Sequence, residues 1–232
     1  MNINVTNENV IDNISILKLP VKGYRELLGK NIPYKFVKRT TDVTLSTIAM
    51  VVLLPVFAII ALAIKLESKG PVFFKHTRIG KDGKIIKIYK FRSMVDNAED
   101  LIKNFTSEQM KEYKENYKLS NDPRVTKVGK FLRKTSLDEL PQLINIIKGD
   151  LSIIGPRPVV AEELKKYGAN IEKFLSATPG LTGYWAANGR SCTSYEQRMQ
   201  MELFYIDNMS LKMDLKVFFK TIDAVLRGKG AV

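Results

Sequence analysis

The 22 residues from Val43 to Ile64, VTLSTIAMVVLLPVFAIIALAI, carry no charged side chain, so any fold of this chain must bury them or place them in lipid. About 20 apolar residues are enough to cross the hydrocarbon layer as a helix, and length alone permits a span. Two features favour another path. Lys35, Lys38 and Arg39 precede the stretch and Lys65, Lys69, Lys75 and Arg78 follow it, whereas a spanning helix usually concentrates Lys and Arg on one side. Near the middle, Pro55 removes a backbone hydrogen bond and crowds the carbonyl four residues earlier, which marks a place to bend. A re-entrant helix-Pro-helix hairpin that dips into one leaflet and returns satisfies both facts and leaves both ends in the cytoplasm. A Pro-kinked spanning helix and a buried core helix are the alternatives left open.

With 232 residues the chain can bury a real core in one ordinary domain with an appendage. Its first twenty residues mix Asn, Glu and Asp with short apolar runs and do not read as a cleaved signal, so the apolar stretch is expected to remain in the mature protein. Thirty-seven Lys and Arg against 24 Asp and Glu give a net charge of +13. Such a balance calls for an acidic partner: nucleic acid, an anionic membrane or phosphorylated substrates. The apolar hairpin favours the anionic phospholipid membrane, which attracts nearby Lys and Arg by about 1 kcal/mol each. A nucleic-acid partner would leave that hairpin without a role, and none is expected. The single cysteine, Cys192, cannot form an internal disulfide, and the solitary His76 leaves no histidine metal cluster.

Along the chain, β-prone runs flank Lys81-Asp82-Gly83, a hairpin signal. From Val72 to Arg92 seven basic residues face one acid, Asp82, which reads either as a solvated basic face or as a polyphosphate site. Asn97 to Leu119 is charged and helix-prone, either a solvent-facing helix or a mobile cover. Val125, Val128, Phe131 and Leu132 fall at helical spacing. Ser136 and Glu139 have capping-box spacing ahead of Leu140, Leu143, Ile144 and Ile147, with Gly149 as the stop. Ala161 to Ala177 reads as one amphipathic helix, LTGYWAANGRSC as a loop, and Ser194 with Gln197 as the start of a further helix. The final helix, Leu211 to Arg227, puts Leu211, Leu215, Phe218, Ile222 and Val225 on one side and Lys212, Lys216 and Lys220 on another, suited to a membrane interface or to core packing.

Asp138 and Glu139 stand at that second helix start. Acids in a first helical turn are commonplace caps, but successive helix residues point in different directions, so one carboxylate can attack while the other holds a metal. Arg124, Arg133 and Arg157 lie close in sequence, and guanidinium groups clamp phosphate oxygens in bidentate fashion. Arg157 is held between Pro156 and Pro158, which stiffen the backbone on either side.

Together KRTTDVTLS, KIYKFRSM, DPRVTKVGKFLRKTSLDELPQLINIIKGDLSIIGPRP, PGLTGYWAANGR and NMSLKMDLKVFFKTI resemble the bacterial sugar transferase family, the monotopic phosphoglycosyl transferases, over roughly residues 34 to 231. The resemblance implies transfer of a sugar-1-phosphate from a UDP-sugar to undecaprenyl phosphate with release of UMP. It also implies Mg2+ as cofactor and a place on the cytoplasmic face of the bacterial inner membrane. The matching fold is α+β and predominantly helical: an N-terminal arm (1–33), a re-entrant membrane hairpin (34–69) broken at Pro55, and a cytoplasmic catalytic domain (70–232) with a small β-hairpin. By motif position Asp138 resembles the nucleophile and Glu139 its metal-binding neighbour, with Asp138 beside the metal. Arg157 and Pro158 match a phosphate-binding loop; Lys90, Arg92 and Arg190 match donor or acceptor contacts, and Arg198 and Tyr205 are further candidates. Two positions depart from the family pattern: Leu54 precedes the membrane proline in place of a small polar residue, and Thr178 precedes Pro179-Gly180 in place of a base. The large additional membrane domain of longer relatives has no counterpart in the match, and a homodimer is compatible with these features. A non-catalytic basic membrane adaptor of a glycan assembly complex is the alternative from another class.

Overall fold

A helix of 36 residues, α1 (Ile32–Glu67), carries the whole apolar stretch in the computed structural model, which describes residues 32–116, 119, 121–189 and 193–226. Pro55 lies inside α1. At the level of secondary structure the expected helix-Pro-helix hairpin is therefore one helix, because a proline costs a single backbone bond while the turns on either side keep theirs. Within its most apolar 18-residue window 11% is buried, so the reading of a soluble core helix does not hold. Ile48, Val51, Val52, Leu54, Ile59 and Leu62 are exposed. Among the described residues α1 alone is long and apolar enough to cross a membrane.

The chain forms two compact units. One takes the described residues up to 51, 75–89 and those from 142 onward; the other takes 52–74 and 90–141. Strands β1 (Phe73–Ile79) and β2 (Ile85–Phe91) pair as the expected hairpin. Asp82 and Gly83 both take positive φ, 57° and 77°, the conformation that Asp-Gly accepts at low cost.

In the first unit the core gathers Ile79, Val159, Leu164, Phe174, Tyr205 and Val217. Two short strands, β3 (Ser152–Ile154) and β4 (Gly180–Thr182), pair in parallel with Ser152 opposite Gly180. Gly155 and Gly180 make this contact close: a Cβ on Gly180 would stand 2.1 Å from the Gly155 nitrogen. Of this unit's helices, α4 (Gln142–Lys148) precedes β3. The expected helix over Ala161 to Ala177 is instead α5 (Ala161–Lys165) and α6 (Ile171–Leu175), split by a tight turn at Gly168–Asn170. Gly168 sits at φ 49°, a left-handed position that ends a right-handed helix. Of the segment read as a loop, residues 181–189 include the end of β4 and α7 (Tyr184–Asn188), and residues 190–192 lie outside the described residues.

Ser194 and Gln197 form the expected capping box at the start of α8 (Tyr195–Asp207). The last helix, α9 (Leu211–Leu226), buries Asp214, Val217 and Ala224. Its apolar row Leu211, Leu215, Phe219 and Ile222 is exposed, and Lys212, Lys216 and Lys220 follow on the next side.

In the second unit, the end of α1 packs Ile60 and Ile64 on Phe91 and Leu132, with Leu137 and Leu140 against them. A tight turn at Asp100–Asn104 leads to α2 (Ser107–Asn116), and α3 (Lys127–Thr135) follows with Thr126 as its N-cap. Ser136 does not open the next helix. It closes α3 in the left-handed conformation, φ 58°, and its side chain makes no capping bond. Reversing the chain there takes precedence over the capping box, and Leu137–Glu139 forms a single tight turn ahead of α4.

Candidate active site

Apolar residues bracket the acids of that turn. Leu137 and Leu140 reach into the second unit's core, and this pulls Asp138 down until it is 8% exposed. Glu139 stays more open and accepts from Lys90 Nζ of β2 at 2.6 Å; the same nitrogen lies 3.7 Å from Asp138 Oδ2. Arg133, on the last turn of α3, donates from Nε to Ser93 Oγ at 2.9 Å. Burial raises the Asp138 carboxyl above its ordinary 3.8; Lys90 and Arg133 pull it down, Glu139 adds to the rise, and burial prevails. An ionised, poorly hydrated carboxylate beside a lysine is suited to attack at an electrophilic centre that is itself anionic.

The other predicted residues of this unit are engaged by protein atoms. Arg92 is buried, and its Nη1 and Nη2 donate to the carbonyls of Lys69 (2.6 Å) and Ser68 (2.8 Å), with a further bond to Ser68 Oγ. It thereby closes the C-terminal end of α1, where Gly70 at φ 110° leaves it room: a Cβ there would stand 2.1 Å from Arg92 Nη1. Arg124 grips Asp122 through two bonds, Nε to Oδ1 at 2.8 Å and Nη2 to Oδ2 at 2.7 Å. The rings of Phe105 and Tyr113 lie 5.1 and 5.2 Å from its guanidinium. Each of these two guanidiniums is thus bonded to groups of the protein itself.

Arg157, Pro158, Arg198 and Tyr205 belong to the first unit. Arg157 follows β3 with its side chain exposed, 5.7 Å from the Trp185 ring, while its backbone N–H donates to Glu202 Oε1 at 3.1 Å. Pro158 is buried. Arg198 is buried with its guanidinium 4.9 Å from the Trp185 ring and 5.2 Å from that of Tyr195. Its Nη2 approaches Glu163 Oε2 at 3.6 Å, and among the described residues its Nε and Nη2 have no hydrogen-bond partner. Tyr205 is a core brace: its hydroxyl donates to Asp214 Oδ1 at 2.6 Å, and Asp214 Oδ2 also accepts from Tyr34 and Lys38. Arg190 lies outside the described residues.

Sequence reasoning passed over Glu202. Fully buried, its carboxyl is pushed up to about 7 against the pull of the Arg157 N–H and the charges of Arg198 and Arg157. The signal was in the helical period: Arg198, Glu202, Tyr205 and Ile206 fall at i, i+4, i+7 and i+8 and are the buried face of α8. A carboxylate on such a face needs a partner, and the partner is the backbone ahead of Pro158.

The profile of the Bacterial sugar transferase family matches residues 33–228. The exopolysaccharide production protein ExoY of Sinorhizobium fredii is 44% identical over 197 residues, 84% of this chain and 87% of that protein. The undecaprenyl-phosphate galactose phosphotransferase of Salmonella typhimurium is 40% identical over 200 residues, covering 85% of this chain and 42% of the relative. The UDP-glucose:undecaprenyl-phosphate glucose-1-phosphate transferase of Escherichia coli is 38% identical over 222 residues, 92% of this chain and 43% of the relative. This chain thus spans less than half the length of the last two. With the buried Asp138 and its Lys90 and Glu139 neighbours inside the matched region, the chain belongs to the bacterial sugar transferase family.

Proposed function

We propose that this protein transfers a sugar-1-phosphate from a UDP-sugar to undecaprenyl phosphate, through a covalent phosphosugar adduct on Asp138. The observation that carries this reading is the buried carboxylate of Asp138 with Lys90 Nζ 3.7 Å away, in a chain whose relatives include enzymes named for that transfer. In the first displacement an Asp138 oxygen attacks the sugar-bearing phosphorus. The bond to the bridging oxygen breaks and UMP departs, leaving an acyl phosphate. In the second, an undecaprenyl phosphate oxygen attacks the same phosphorus, the bond to Asp138 breaks, and undecaprenyl-diphosphate-sugar forms. The carboxylate returns unchanged, so no net proton is required.

Lys90 lowers the charge repulsion between the anionic attacker and the donor diphosphate. Arg157, with its guanidinium exposed, binds donor or acceptor phosphate from a backbone that Glu202 holds. Among the described residues no group of three or more His, Cys, Asp or Glu is placed to hold a metal. Two adjacent carboxylates nonetheless fit magnesium, which is commonly bound by one or two carboxylates plus substrate phosphates and water. Glu139, with Asp138 beside it, would hold the ion, and when bound it supplies screening of the diphosphate charge.

The acceptor is a lipid, and α1 supplies the route to it as a re-entrant segment that bends at Pro55. Near its start Arg39 and Asp42 bond to residues 146, 147 and 153, and near its end Glu67 bonds to residues 127 and 128. If α1 spanned the bilayer straight, the chain joining these partners would have to recross it, and no other described helix is long and apolar enough. A return to the cytoplasmic face of the bacterial inner membrane avoids that cost. The exposed row Leu211, Leu215, Phe219 and Ile222 beside three lysines of α9 suits an anionic phospholipid interface.

The activity is tested with the full chain in lipid nanodiscs. Sustained, multiple-turnover UMP release from one member of a UDP-sugar panel is expected only when undecaprenyl phosphate and magnesium are also present, with one UMP per protein when the acceptor is left out, and no release from any donor overturns the reading. Topology is checked by single cysteines at positions 35 and 69 in intact cells; both should resist a membrane-impermeant thiol reagent, and labelling of either from outside means a span.

A further inference from the structure

We propose that Glu67 and Arg39, just outside the two ends of the apolar stretch, are positioning residues that hold the helices on either side of the Asp138 turn. The inference rests on the functional reading above only in what the turn is for.

Glu67 is the last residue of α1. Its Oε1 accepts from the Lys127 N–H at 2.7 Å and its Oε2 from the Val128 N–H at 2.9 Å. These are first-turn donors of α3, which Thr126 leaves unbonded because its own hydroxyl takes the Gly129 N–H. A helix N-terminus has several such donors and a positive dipole end, so a carboxylate placed there satisfies both bonding and charge. Arg39 acts on the helix that follows the turn. Its Nη1 donates to the Ile146 carbonyl at 2.6 Å, which also accepts from the Gly149 N–H at 3.0 Å, and its Nη2 to the Ile147 carbonyl at 2.8 Å, in the last turn of α4 (Gln142–Lys148), where carbonyls have spare lone pairs and the dipole is negative.

An acid thus sits at the start of the helix that leads into Leu137–Glu139 and a base at the end of the helix that leads out of it, each matched in sign to the dipole end it meets. Contacts made only by the apolar face of α1 specify burial but tolerate sliding. Two-pronged bonds to backbone atoms specify register, because they fix one residue against one turn. The short turn between α3 and α4 has its own backbone bonds, Glu139 N–H to the Ser136 carbonyl at 3.3 Å and Leu140 N–H to the Leu137 carbonyl at 3.2 Å. These lie at the long end of the hydrogen-bond range, so beyond the packing of Leu137 and Leu140 the turn depends on the helices at either end for its shape.

The test compares the full-length protein with Glu67→Ala, Glu67→Gln, Arg39→Gln and Arg39→Lys in nanodiscs at matched incorporation. Glu67→Ala and Arg39→Gln are each expected to lower kcat about tenfold, which corresponds to about 1.4 kcal/mol, with the KM for the UDP-sugar within about twofold, as expected of misplacement near the reacting group. Glu67→Gln and Arg39→Lys, which keep part of the bonding, should recover part of the loss. In hydrogen exchange the same variants should speed exchange at the amides of 139 and 140 as well as at the capped helix end. Wild-type kcat in both severe variants, or faster exchange confined to residues 127 and 128, overturns the proposal. If the parent protein releases no UMP while exchange at 139 and 140 still quickens, the functional reading falls and the positioning role stands.

Discussion

Asp138→Asn is expected to reduce phosphosugar transfer by roughly 10³-fold or more, the scale of loss when a nucleophile is removed, while the protein folds and enters membranes as before. Folding should survive because burial already disfavours the charged form of Asp138, and an amide of the same shape avoids that penalty; Lys90 retains Glu139 as its closer partner. The decisive measurement is peptide mass after mixing with donor and magnesium in the absence of acceptor: the parent should gain one phosphosugar on the peptide bearing Asp138, and Asp138→Asn none. An adduct on another side chain would sink the assignment. The pH dependence follows from the same geometry. The nucleophile must be ionised, and its pKa is raised, so kcat should climb with pH through a value above the ordinary 3.8. Lys90 opposes the rise, so Lys90→Met should move this acid limb to higher pH; an unchanged limb would mean that another group titrates.

Gly129→Ala is expected to destabilise the protein by roughly 3 kcal/mol or more, the range of severe overpacking. Two effects compete. Alanine gains about 1 kcal/mol over glycine inside a helix, but the new Cβ would stand 2.0 Å from the Ser93 carbonyl oxygen and 2.6 Å from its carbon. These are backbone atoms and cannot move aside by changing rotamer, so the clash prevails. Ser93 is also where Arg133 is anchored and where the Thr126 N–H bonds, at 3.2 Å. The variant should therefore lower the apparent Tm by about 10 °C and reduce activity along with folded yield. An unchanged Tm would mean that α3 does not pack this closely on the strand end.

Where a pattern was local, it could be read. The Asp82-Gly83 turn and the Ser194–Gln197 capping box are there because each rests on the φ preference or the hydroxyl of residues a few positions apart. The course of α1 follows from an unbroken apolar run, although the sequence said nothing of the bonds at its ends. Ser136 is where two local patterns compete. Its spacing to Glu139 satisfies a capping box, but the same serine is needed to reverse the chain after α3, and only one of these conformations can be adopted.

The guanidiniums mark the boundary most sharply. Charge and motif assigned Arg92, Arg124, Arg157 and Arg198 to phosphates, and residue type does justify calling each an anion ligand. Whether a given guanidinium still has donors to offer depends on what surrounds it. Arg124 gives two to Asp122, and Arg92 gives its own to the carbonyls of Ser68 and Lys69, whereas Arg157 stays exposed over Trp185. A carbonyl is common to every residue and leaves no mark in an amino-acid string, and β3 finds β4 across 28 positions with three residues in each strand. The long apolar helix, the charge and the family were therefore written in composition and motif, because they depend on which residues are present. Which protein groups each arginine meets was decided by packing, because it depends on which backbone atoms the fold brings within reach.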